Sequence, residues 1–346
     1  MTIINPDIRK AETLPSRYYT DSATFESIIS SFGQNWHFAA HRNQLSAAQP
    51  IENSLREPML ITEVDGEIHC ISNVCTHRGM LVCTETSNAK RLQCPYHGRI
   101  FGLNGQFRSM PEFDEVENFP ASGDNLRSFP FAEWKGLLFN TISATDFESF
   151  IAAIEARVGW LPIANFTPDP SRHREYSIDS NWALYVDNYL EGFHIPFVHG
   201  DLHEVLDYDA YSTELFAGGV LQIGIANEGE PSFDLPEYHP DAGQNIAAYY
   251  FWLYPGLMLN FYPWGLSVNL VIPEDTGKTR IIYHGFVGDA SMLGQGAGGD
   301  LDKVEAEDQF IVEGCQKGVS SIAYERGRYS PTKEVGVHHF HRILTQ

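Results

Sequence analysis

The sequence predicts an α+β fold, in which a small antiparallel β domain at residues 36–145 is followed by a domain at 146–346 that packs an antiparallel sheet against helices. Turn-forming pairs between alternating apolar residues, at 65–66 and 104–105, predict two-residue hairpins in the first domain. In the second domain, apolar and aromatic residues at helical spacing occupy 181–193, and long alternating segments follow. The length of 346 residues also favours two domains over one.

The individual elements follow from local patterns. We expect an N-terminal arm at 1–35, with a helix around Phe25–Ile29, that packs on the second domain. In the second domain we expect a helix at 181–193 that is ended by Pro196, and sheet at 211–225 and 246–288. A helix at 301–318 and a terminal strand in 335–344 are expected to follow. Alternating aromatic and β-branched residues favour strands, and proline cannot continue a helix because it lacks an N–H. The glycines at 294–299 match the G-x-G-x-x-G pattern of dinucleotide-binding proteins, but they do not lie in a predicted βαβ unit, which that pattern requires. We therefore interpret them as a connector.

The composition is strongly acidic, with 23 Lys and Arg against 45 Asp and Glu and a formal net charge of −22. Such a surface repels phosphate backbones and anionic lipids, so we expect neither nucleic acid nor a membrane as a partner. No apolar run approaches the roughly 18 residues of a membrane span, and no signal-peptide pattern is present, which predicts a cytoplasmic protein. Five cysteines are too few for a disulfide framework in this chain, and reduced thiols can bind metal.

Four potential metal ligands occur in two short segments. Cys75-x-His77 is followed, after sixteen residues, by Cys94-x-x-His97, and both segments lie beside predicted hairpins. Two cysteines and two histidines bind either structural zinc or a [2Fe–2S] cluster in which histidines replace two of the cysteines. Zinc fingers group a cysteine pair and then a histidine pair, whereas each segment here mixes both types. The spacing therefore favours the [2Fe–2S] cluster.

A second set of potential ligands lies in the other predicted domain. His194 is near the end of the predicted helix at 181–193, and His199 follows the break, where the chain can turn back. Two histidines and one carboxylate with open positions bind mononuclear non-haem Fe(II) that activates O₂. We expect the carboxylate from Asp308, which falls on an otherwise apolar helix face, with the neighbouring Glu307 as the alternative. Taken alone, the two histidines fit a structural role about as well.

Together these segments resemble the α subunit of the Rieske non-haem iron oxygenases, over nearly the whole chain. The resemblance rests on CTH at 75–77, CPYHG at 94–98, NW at 181–182, DNYLEGFHIPFVH at 187–199 and EDQFIVEGCQKG at 307–318. It implies an N-terminal Rieske β domain and a C-terminal helix-grip catalytic domain. The implied ligands are Cys75, His77, Cys94 and His97 for the [2Fe–2S] cluster, and His194, His199 and Asp308 for Fe(2+). Members without a second subunit usually form homotrimers.

The resemblance also implies a path for electrons, from the cluster of one protomer to the mononuclear iron of its neighbour across a bridging acid. Glu191 occupies the position of this acid, and Asp187 in the same segment is also expected to be catalytic. The bridging acid is aspartate in the aromatic dioxygenases and glutamate in members acting on quaternary ammonium compounds such as choline, glycine betaine or carnitine. One departure is Arg99, where the family usually has tryptophan, which can change the docking surface or the cluster potential.

The expected function is that of a terminal oxygenase, which uses O₂ and electrons from a separate NAD(P)H-dependent reductase. It would hydroxylate, demethylate or cleave a small substrate, with a quaternary ammonium compound as the leading candidate. Some of Trp252, Tyr254, Tyr262 and Trp264 are candidates for an aromatic cage, although so many aromatics also suit a sheet core. The alternatives are an aromatic-ring dioxygenase or aromatic demethylase, a Rieske electron carrier without oxygenase activity, and a binding protein with structural zinc.

Overall fold

The computed structural model describes residues 3–144 and 146–345. The domain bounds predicted at residues 1, 145 and 346 lie outside the described residues. Of the helices in the described parts of the chain, none combines the length and the apolar character needed to cross a bilayer.

The chain divides into two compact units, and the unit at Phe32–Glu148 consists of short strands. Its strands in the described residues are β1 (His37–His41), β2 (Ala48–Pro50), β3 (Met59–Val64), β4 (Glu67–Ser72), β5 (Leu92–Gln93), β6 (Ile100–Phe101), β7 (Phe107–Ser109), β8 (Phe131–Trp134) and β9 (Leu137–Asn140). They form three antiparallel sheets, ordered β1-β9-β8, β2-β3-β4 and β5-β6-β7. The prediction of an antiparallel β domain is confirmed.

One predicted hairpin is confirmed and the other is longer than expected. Asp65 and Gly66 have φ of 54° and 81° and join the paired ends of β3 and β4, as a tight two-residue turn requires. At 104–105 a hairpin also forms, but its closing pair is Phe101 and Phe107, so the loop has five residues and the two-residue prediction is wrong. The pairing register shifts between Ile100 and Phe101, next to the loop, and this shift places the closing pair farther from 104–105 than a two-residue turn would.

The second unit comprises the chain up to Ser31 and from Ser149 onward. The helices of its described residues are α1 (Arg17–Thr20), α2 (Ser22–Ile29), α3 (Phe147–Val158), α4 (Trp182–Tyr189), α5 (Ile195–Val198), α6 (Gly200–Val205), α7 (Leu301–Val319) and α8 (Val335–Leu344). The first two residues of α3 belong to the other unit. Its strands are β10 (Thr167–Ile178), β11 (Ser212–Phe216), β12 (Gly219–Ile225), β13 (Ile246–Leu253), β14 (Leu257–Tyr262), β15 (Gly265–Asp275) and β16 (Lys278–Val287). They form one antiparallel sheet in the order β10-β16-β15-β14-β13-β12-β11, which confirms the sheet predicted at 211–225 and 246–288.

One face of this sheet carries polar side chains in its middle. Gln222 pairs with Tyr250, and Tyr250 pairs with Asn260 on the next strand. Farther along, Asn269 pairs with Tyr283. Residues directly opposite each other on neighbouring strands point to the same face, so these side chains form a polar row across several strands.

Pro196 begins a helix, contrary to the prediction that it ends one. The preceding helix α4 stops at Tyr189, and Pro196 lies in the first turn of α5. The first turn of a helix needs no intrahelical N–H donor, so proline is tolerated there. The predicted helix at 181–193 is consequently four residues shorter at its C-terminal end.

The segment 335–344 forms helix α8, so the predicted terminal strand is wrong. Its buried Val337, Phe340 and His341 recur at intervals of three and four residues, which is the spacing of one helix face. The neighbouring histidines are hydrogen-bonded, with His338 Nε2 2.8 Å from the Asn5 carbonyl oxygen and His339 Nε2 2.9 Å from a carbonyl oxygen of β11. These contacts to distant segments decide the conformation, and alternation in the sequence does not reveal them.

His37 is a buried histidine whose environment opposes its charged form. Its Nε2 lies 2.9 Å from the Phe32 carbonyl oxygen, its Nδ1 lies 3.1 Å from Ser54 Oγ, and burial lowers its pKa to about 4. An unfolded histidine has a pKa of about 6.5, so between pH 6.5 and 4 the unfolded chain binds a proton that the folded chain does not. The stability from neutral His37 is therefore complete above pH 6.5 and decreases as the pH falls through this window.

His37→Gln should abolish this part of the pH dependence. Between pH 7.5 and 5.5, wild type should lose about 1 kcal/mol of unfolding free energy that the variant keeps. Urea unfolding at the two pH values measures the difference, and His69→Gln in the same unit is the matched control. Identical pH dependence in wild type and His37→Gln would contradict the assignment.

Candidate metal centres and substrate cavity

The two cysteine segments form loops with the same backbone hydrogen bonds. In each loop the cysteine N–H donates to the carbonyl oxygen five residues later, at 2.8 Å for both Cys75 and Cys94. A glycine N–H four residues after each cysteine donates back to the cysteine carbonyl oxygen, at 3.0 Å from Gly79 and 3.1 Å from Gly98. Both glycines have positive φ, 74° and 73°, which glycine adopts without strain. The matching geometry explains why each segment reads Cys, His, Gly in that order.

These loops bring the four predicted cluster ligands together. Cys75 and Cys94 are each 2% exposed and their thiols contact each other. The rings of His77 and His97 lie 4.8 Å apart between centroids and reach the surface. Two thiols and two imidazoles on facing loops are the donor set of a [2Fe–2S] cluster in which two histidines replace two cysteines. The residues therefore fit that cofactor.

Arg99, just after the second loop, is buried and its charge is paired. Its side chain is 2% exposed, and its Nη2 donates to Asp124 Oδ1 at 2.5 Å. The guanidinium also lies 4.9 Å from the ring centroid of Phe107. A backbone N–H and the Arg99 guanidinium lower the pKa of the Asp124 carboxyl. A side chain this buried does not form a docking surface, which leaves the cluster potential as the property that Arg99 can affect.

His194, His199 and Asp308 converge on one point in the second unit. The two histidine Nε2 atoms are 3.1 Å apart, and Asp308 Oδ1 is 3.0 Å from Nε2 of His199 and 3.7 Å from Nε2 of His194. Metal–ligand bonds of about 2.1 Å at right angles place donor atoms about 3 Å apart. The spacing and chemistry of this set therefore fit mononuclear iron.

Two further acids hold the outer nitrogens of the histidines. Glu191 Oε1 lies 2.8 Å from His194 Nδ1, and Glu307 Oε2 lies 2.7 Å from His199 Nδ1. Glu191 also accepts backbone N–H groups of Phe193 and His194. A carboxylate that accepts Nδ1–H fixes the tautomer and leaves Nε2 free as a metal ligand. Both imidazole rings are thus oriented by a carboxylate at Nδ1, on the side away from the metal-binding Nε2.

The structure separates the roles of the two neighbouring acids on α7. Asp308 faces Nε2 of His199, and Glu307 faces Nδ1 of the same ring. Asn188 Nδ2 donates to Asp308 Oδ1 at 2.6 Å, which holds this carboxylate in place. This arrangement favours Asp308 as the metal ligand and makes Glu307 a positioning residue, a role that the sequence analysis did not foresee.

The inward face of α7 differs from the predicted stripe. Val304, Asp308, Ile311 and Cys315 were expected to point inward, but Cys315 is exposed. The buried residues of the helix are Glu305, Val312 and Val319. An acid at the centre of this buried face was not foreseen, because periodicity in the sequence counts Glu305 as a surface residue.

Asp187 lies on α4 but away from this centre. Its carboxylate accepts a hydrogen bond from the Tyr19 hydroxyl at 2.8 Å and contacts His341 Nε2 at 2.7 Å. His341 Nδ1 in turn lies 2.6 Å from the Tyr329 hydroxyl. Asp187 does not line the cavity beside the two histidines. Its contacts join α1, α4 and α8, and a catalytic role stays a prediction.

A cavity opens beside the histidines, and six tyrosines contribute to its wall. The tyrosines in its wall are Tyr185, Tyr189, Tyr211, Tyr250, Tyr262 and Tyr283. Amides from the polar row of the sheet, Gln222, Asn260 and Asn269, also line it, together with the apolar Ile195, Leu202, Ala297, Leu301 and Val304. The space, including its open mouth, is about 780 Å³, which suits a small ligand.

Glu305 is buried directly behind this tyrosine wall. It is 1% exposed, and its Oε2 accepts hydrogen bonds from the hydroxyls of Tyr185 at 2.6 Å and Tyr283 at 2.5 Å. Gln309 Nε2 donates to Oε1 at 3.1 Å. Burial raises the pKa of Glu305 to about 7, although these hydrogen bonds oppose the shift. Above this pKa, the acid adds negative charge behind the cavity.

The predicted aromatic cage is only partly present. Tyr262 lines the cavity, but Trp252 is fully buried and packs against Phe340, with ring centroids 5.1 Å apart. Trp264 borders a different cavity, and Tyr254 does not line the tyrosine cavity. The sequence placed too many of these aromatics at the site, because Trp252 shares the sheet face of Tyr250 but is covered there by Phe340 of α8.

The cavity amides were missed, although the sequence carried a signal for them. Gln222, Asn260 and Asn269 each interrupt an apolar strand at a buried position. Buried amides need hydrogen-bond partners, so their presence in core strands indicates a polar site.

Two family models match the sequence of this chain. The family model for the ring-hydroxylating α subunit (catalytic domain) matches residues 163–346. The chain belongs to this family. The model for the Rieske [2Fe–2S] domain matches residues 35–120, on the unit that contains both cysteine loops.

Relatives of this ring-hydroxylating α subunit cover nearly its full length. It is 28% identical to chloroplastic choline monooxygenase of Arabidopsis thaliana, over 97% of this chain and 83% of the relative. It is also 28% identical to the carnitine monooxygenase oxygenase subunit of Escherichia coli (strain K12), over 98% of this chain and 94% of the relative.

Solved structures show the same fold. A quaternary ammonium Rieske monooxygenase, CntA, solved in complex with L-carnitine, matches with a TM-score of 0.79 and 23% identity, over 99% of this chain and 96% of that chain. Naphthalene 1,2-dioxygenase from Rhodococcus sp. matches with a TM-score of 0.74 and 19% identity, over 96% and 93%.

Family membership establishes the class of chemistry. The ring-hydroxylating α subunit is an O₂-dependent oxidoreductase that carries a [2Fe–2S] cluster and mononuclear iron, and it works with a separate reductase and a small substrate. The predictions of family, fold class, oxygenase function and cofactors are confirmed.

Proposed function

We propose that this oxygenase acts on a small quaternary ammonium compound bound in the tyrosine cavity. The proposed ligands are Cys75, His77, Cys94 and His97 for the cluster, and His194, His199 and Asp308 for the iron. The observation that carries the proposal is the position of the iron ligand set, which lines the same cavity as six tyrosines. Aromatic faces attract a quaternary ammonium group by cation–π interaction, worth about 0.5–2 kcal/mol per good contact.

The relatives support this substrate class. Their names describe monooxygenases of choline and of carnitine, both of which contain a trimethylammonium group. An aromatic hydrocarbon would also contact the tyrosine rings, but it would gain nothing from the nearby carboxylates and would offer no donor to Gln222 Oε1, which has no hydrogen-bond partner in the described residues. The cavity therefore suits a polar cation better than an apolar ring.

The side chains around the iron site orient its ligands and bind the substrate beside them. Iron held by two histidines and one carboxylate keeps open positions at which O₂ is activated. Glu191 and Glu307 fix the two imidazoles, and Asn188 fixes Asp308. The tyrosines exclude water from the substrate and hold its cationic group.

The overall reaction requires electrons from outside the chain. Hydroxylation of a C–H bond inserts one oxygen atom of O₂, and the other leaves as water after taking up two electrons and two protons. The separate reductase supplies the electrons through the [2Fe–2S] cluster. We propose that the assembly is a homotrimer in which Glu191 carries the electron step between neighbouring protomers, and its hydrogen bond to His194 supports this role.

Glu307→Gln should weaken the mononuclear iron site without affecting the cluster. Loss of the carboxylate behind a metal-bound histidine typically costs about 10–100-fold in metal affinity. Chelator competition measures the iron affinity, and visible absorption measures the cluster. Glu313→Gln, on the same helix but away from His199, is the matched control.

His199→Ala should lose the mononuclear iron altogether, and unchanged iron content in this variant would support an electron carrier instead.

Glu191→Gln should slow the transfer of electrons from cluster to iron. The amide retains the size of the side chain but not its charge, and we expect cluster reoxidation in the presence of substrate and O₂ to slow by at least about 10-fold. Stopped-flow absorption follows this step, with iron content measured in parallel. Glu204→Gln, an exposed acid on α6, is the control. Normal reoxidation with intact iron would exclude Glu191 from the electron path.

A further inference from the structure

The cavity wall has no positively charged side chain of its own. Among the described residues that line it there is no lysine or arginine. Its carboxylates are Glu191 and Asp308, and Glu305 lies immediately behind two of the tyrosines. The proposed iron would offset the charge of Asp308, which leaves Glu191 and Glu305 as the uncompensated acids. A substrate carboxylate in this cavity would lose its hydration without gaining a cationic side chain as partner, which is unfavourable.

Three of the six tyrosine hydroxyls of the wall are oriented as acceptors towards a ligand. Tyr185 and Tyr283 both donate their protons to Glu305 Oε2, and Tyr189 donates to Asn260 Oδ1 at 2.6 Å. A hydroxyl that has donated its proton to the protein offers only oxygen lone pairs to a ligand. These oxygens favour a cation or a hydrogen-bond donor and repel a carboxylate.

A buried amide in the same wall also requires a donor. Gln222 is 2% exposed, and its Nε2 donates to the Tyr189 carbonyl oxygen at 2.6 Å. This contact identifies the nitrogen of the amide, because a carbonyl oxygen needs a donor. The other atom is therefore Oε1, which has no hydrogen-bond partner in the described residues. A hydroxyl group can donate to such an oxygen, whereas an ionised carboxylate cannot.

We propose that the cavity selects a quaternary ammonium alcohol, a net cation with a hydroxyl group, over a zwitterion that carries a carboxylate. The inference rests on the proposed function, since it assumes a quaternary ammonium substrate in this cavity. Glu305 acts in it as a positioning residue, because it fixes the direction of two hydroxyls without lining the cavity itself.

Two arginines border a neighbouring cavity that shares Tyr283 with the substrate cavity. Arg174 Nε is paired with Asp302 Oδ1 at 2.9 Å. Arg172 Nε lies 3.7 Å from Asp169 Oδ2, and its guanidinium is 4.9 Å from the Trp264 ring centroid. Because both charges are already engaged within the protein, we do not expect them to bind a substrate carboxylate.

Four probes test this selectivity on the holoenzyme with a surrogate reductase at pH 8. Choline is the cationic alcohol, glycine betaine and L-carnitine are the zwitterions, and 3,3-dimethylbutan-1-ol is the neutral analogue of choline. Oxygen uptake and product mass should give a kcat/KM for choline at least about 100-fold above either zwitterion, and at least about 10-fold above the neutral analogue.

Each other outcome has a definite meaning. Preference for glycine betaine or L-carnitine would overturn the selectivity while keeping the proposed function. Benzoate is assayed beside the four probes as an aromatic control, and its oxidation with none of the ammonium compounds oxidised would overturn the proposed function itself. If no probe is oxidised, calorimetric titration decides, because choline must bind at least about 10-fold more tightly than either zwitterion for the inference to stand.

Variants test the residues that carry the inference. Glu305→Gln should raise KM for choline about 10-fold with little change in kcat, and should leave the neutral analogue unaffected. Tyr283→Phe gives a second test if Glu305→Gln fails to fold, as judged by thermal melting. Arg172→Gln should not change choline kinetics. A specific loss of betaine turnover in Arg172→Gln would show that a carboxylate reaches this arginine, and would contradict the inference.

Discussion

Two imidazole nitrogens and a carboxylate oxygen held 3.0–3.7 Å apart are the constraint on which the rest of the second unit depends. Such a set suits a metal cation, since a partly buried carboxylate and two imidazole nitrogens then direct their lone pairs at one ion. The set forms because Glu191 and Glu307 engage the opposite side of each ring and Asn188 engages Asp308. The proposed iron site is thus positioned by two acids and one amide that are not among its proposed ligands.

The sheet supplies the other half of the site. Its strands bury apolar residues at most positions, yet the row that faces the cavity contains amides and tyrosines. Their hydrogen bonds run largely into the protein, to Glu305, to Asn260 and to the Tyr189 carbonyl. Shape and polarity are therefore fixed before a substrate enters, and the wall is electronegative where a cation is expected.

Prediction from the sequence succeeded where a local pattern determines the structure. The two facing loops that begin at Cys75 and Cys94 and the tight turn at 65–66 are of this kind. It failed where distant contacts decide: the segment 335–344 is a helix because its side chains pack on the sheet and on α4, and Pro196 begins a helix that no periodic pattern marks. The role of Glu305 could not be predicted for the same reason. Both of its tyrosine partners lie more than twenty residues away in the sequence, on other elements.

The central claim is that iron occupies the point between His194, His199 and Asp308. Anomalous diffraction from crystals of the reconstituted protein, collected on both sides of the iron absorption edge, tests it directly. The account predicts one iron peak within bonding distance of both Nε2 atoms and Asp308, in addition to the iron of the cluster between the cysteine loops. Absence of that peak in fully reconstituted protein, or a peak that appears at the zinc edge instead, would contradict it.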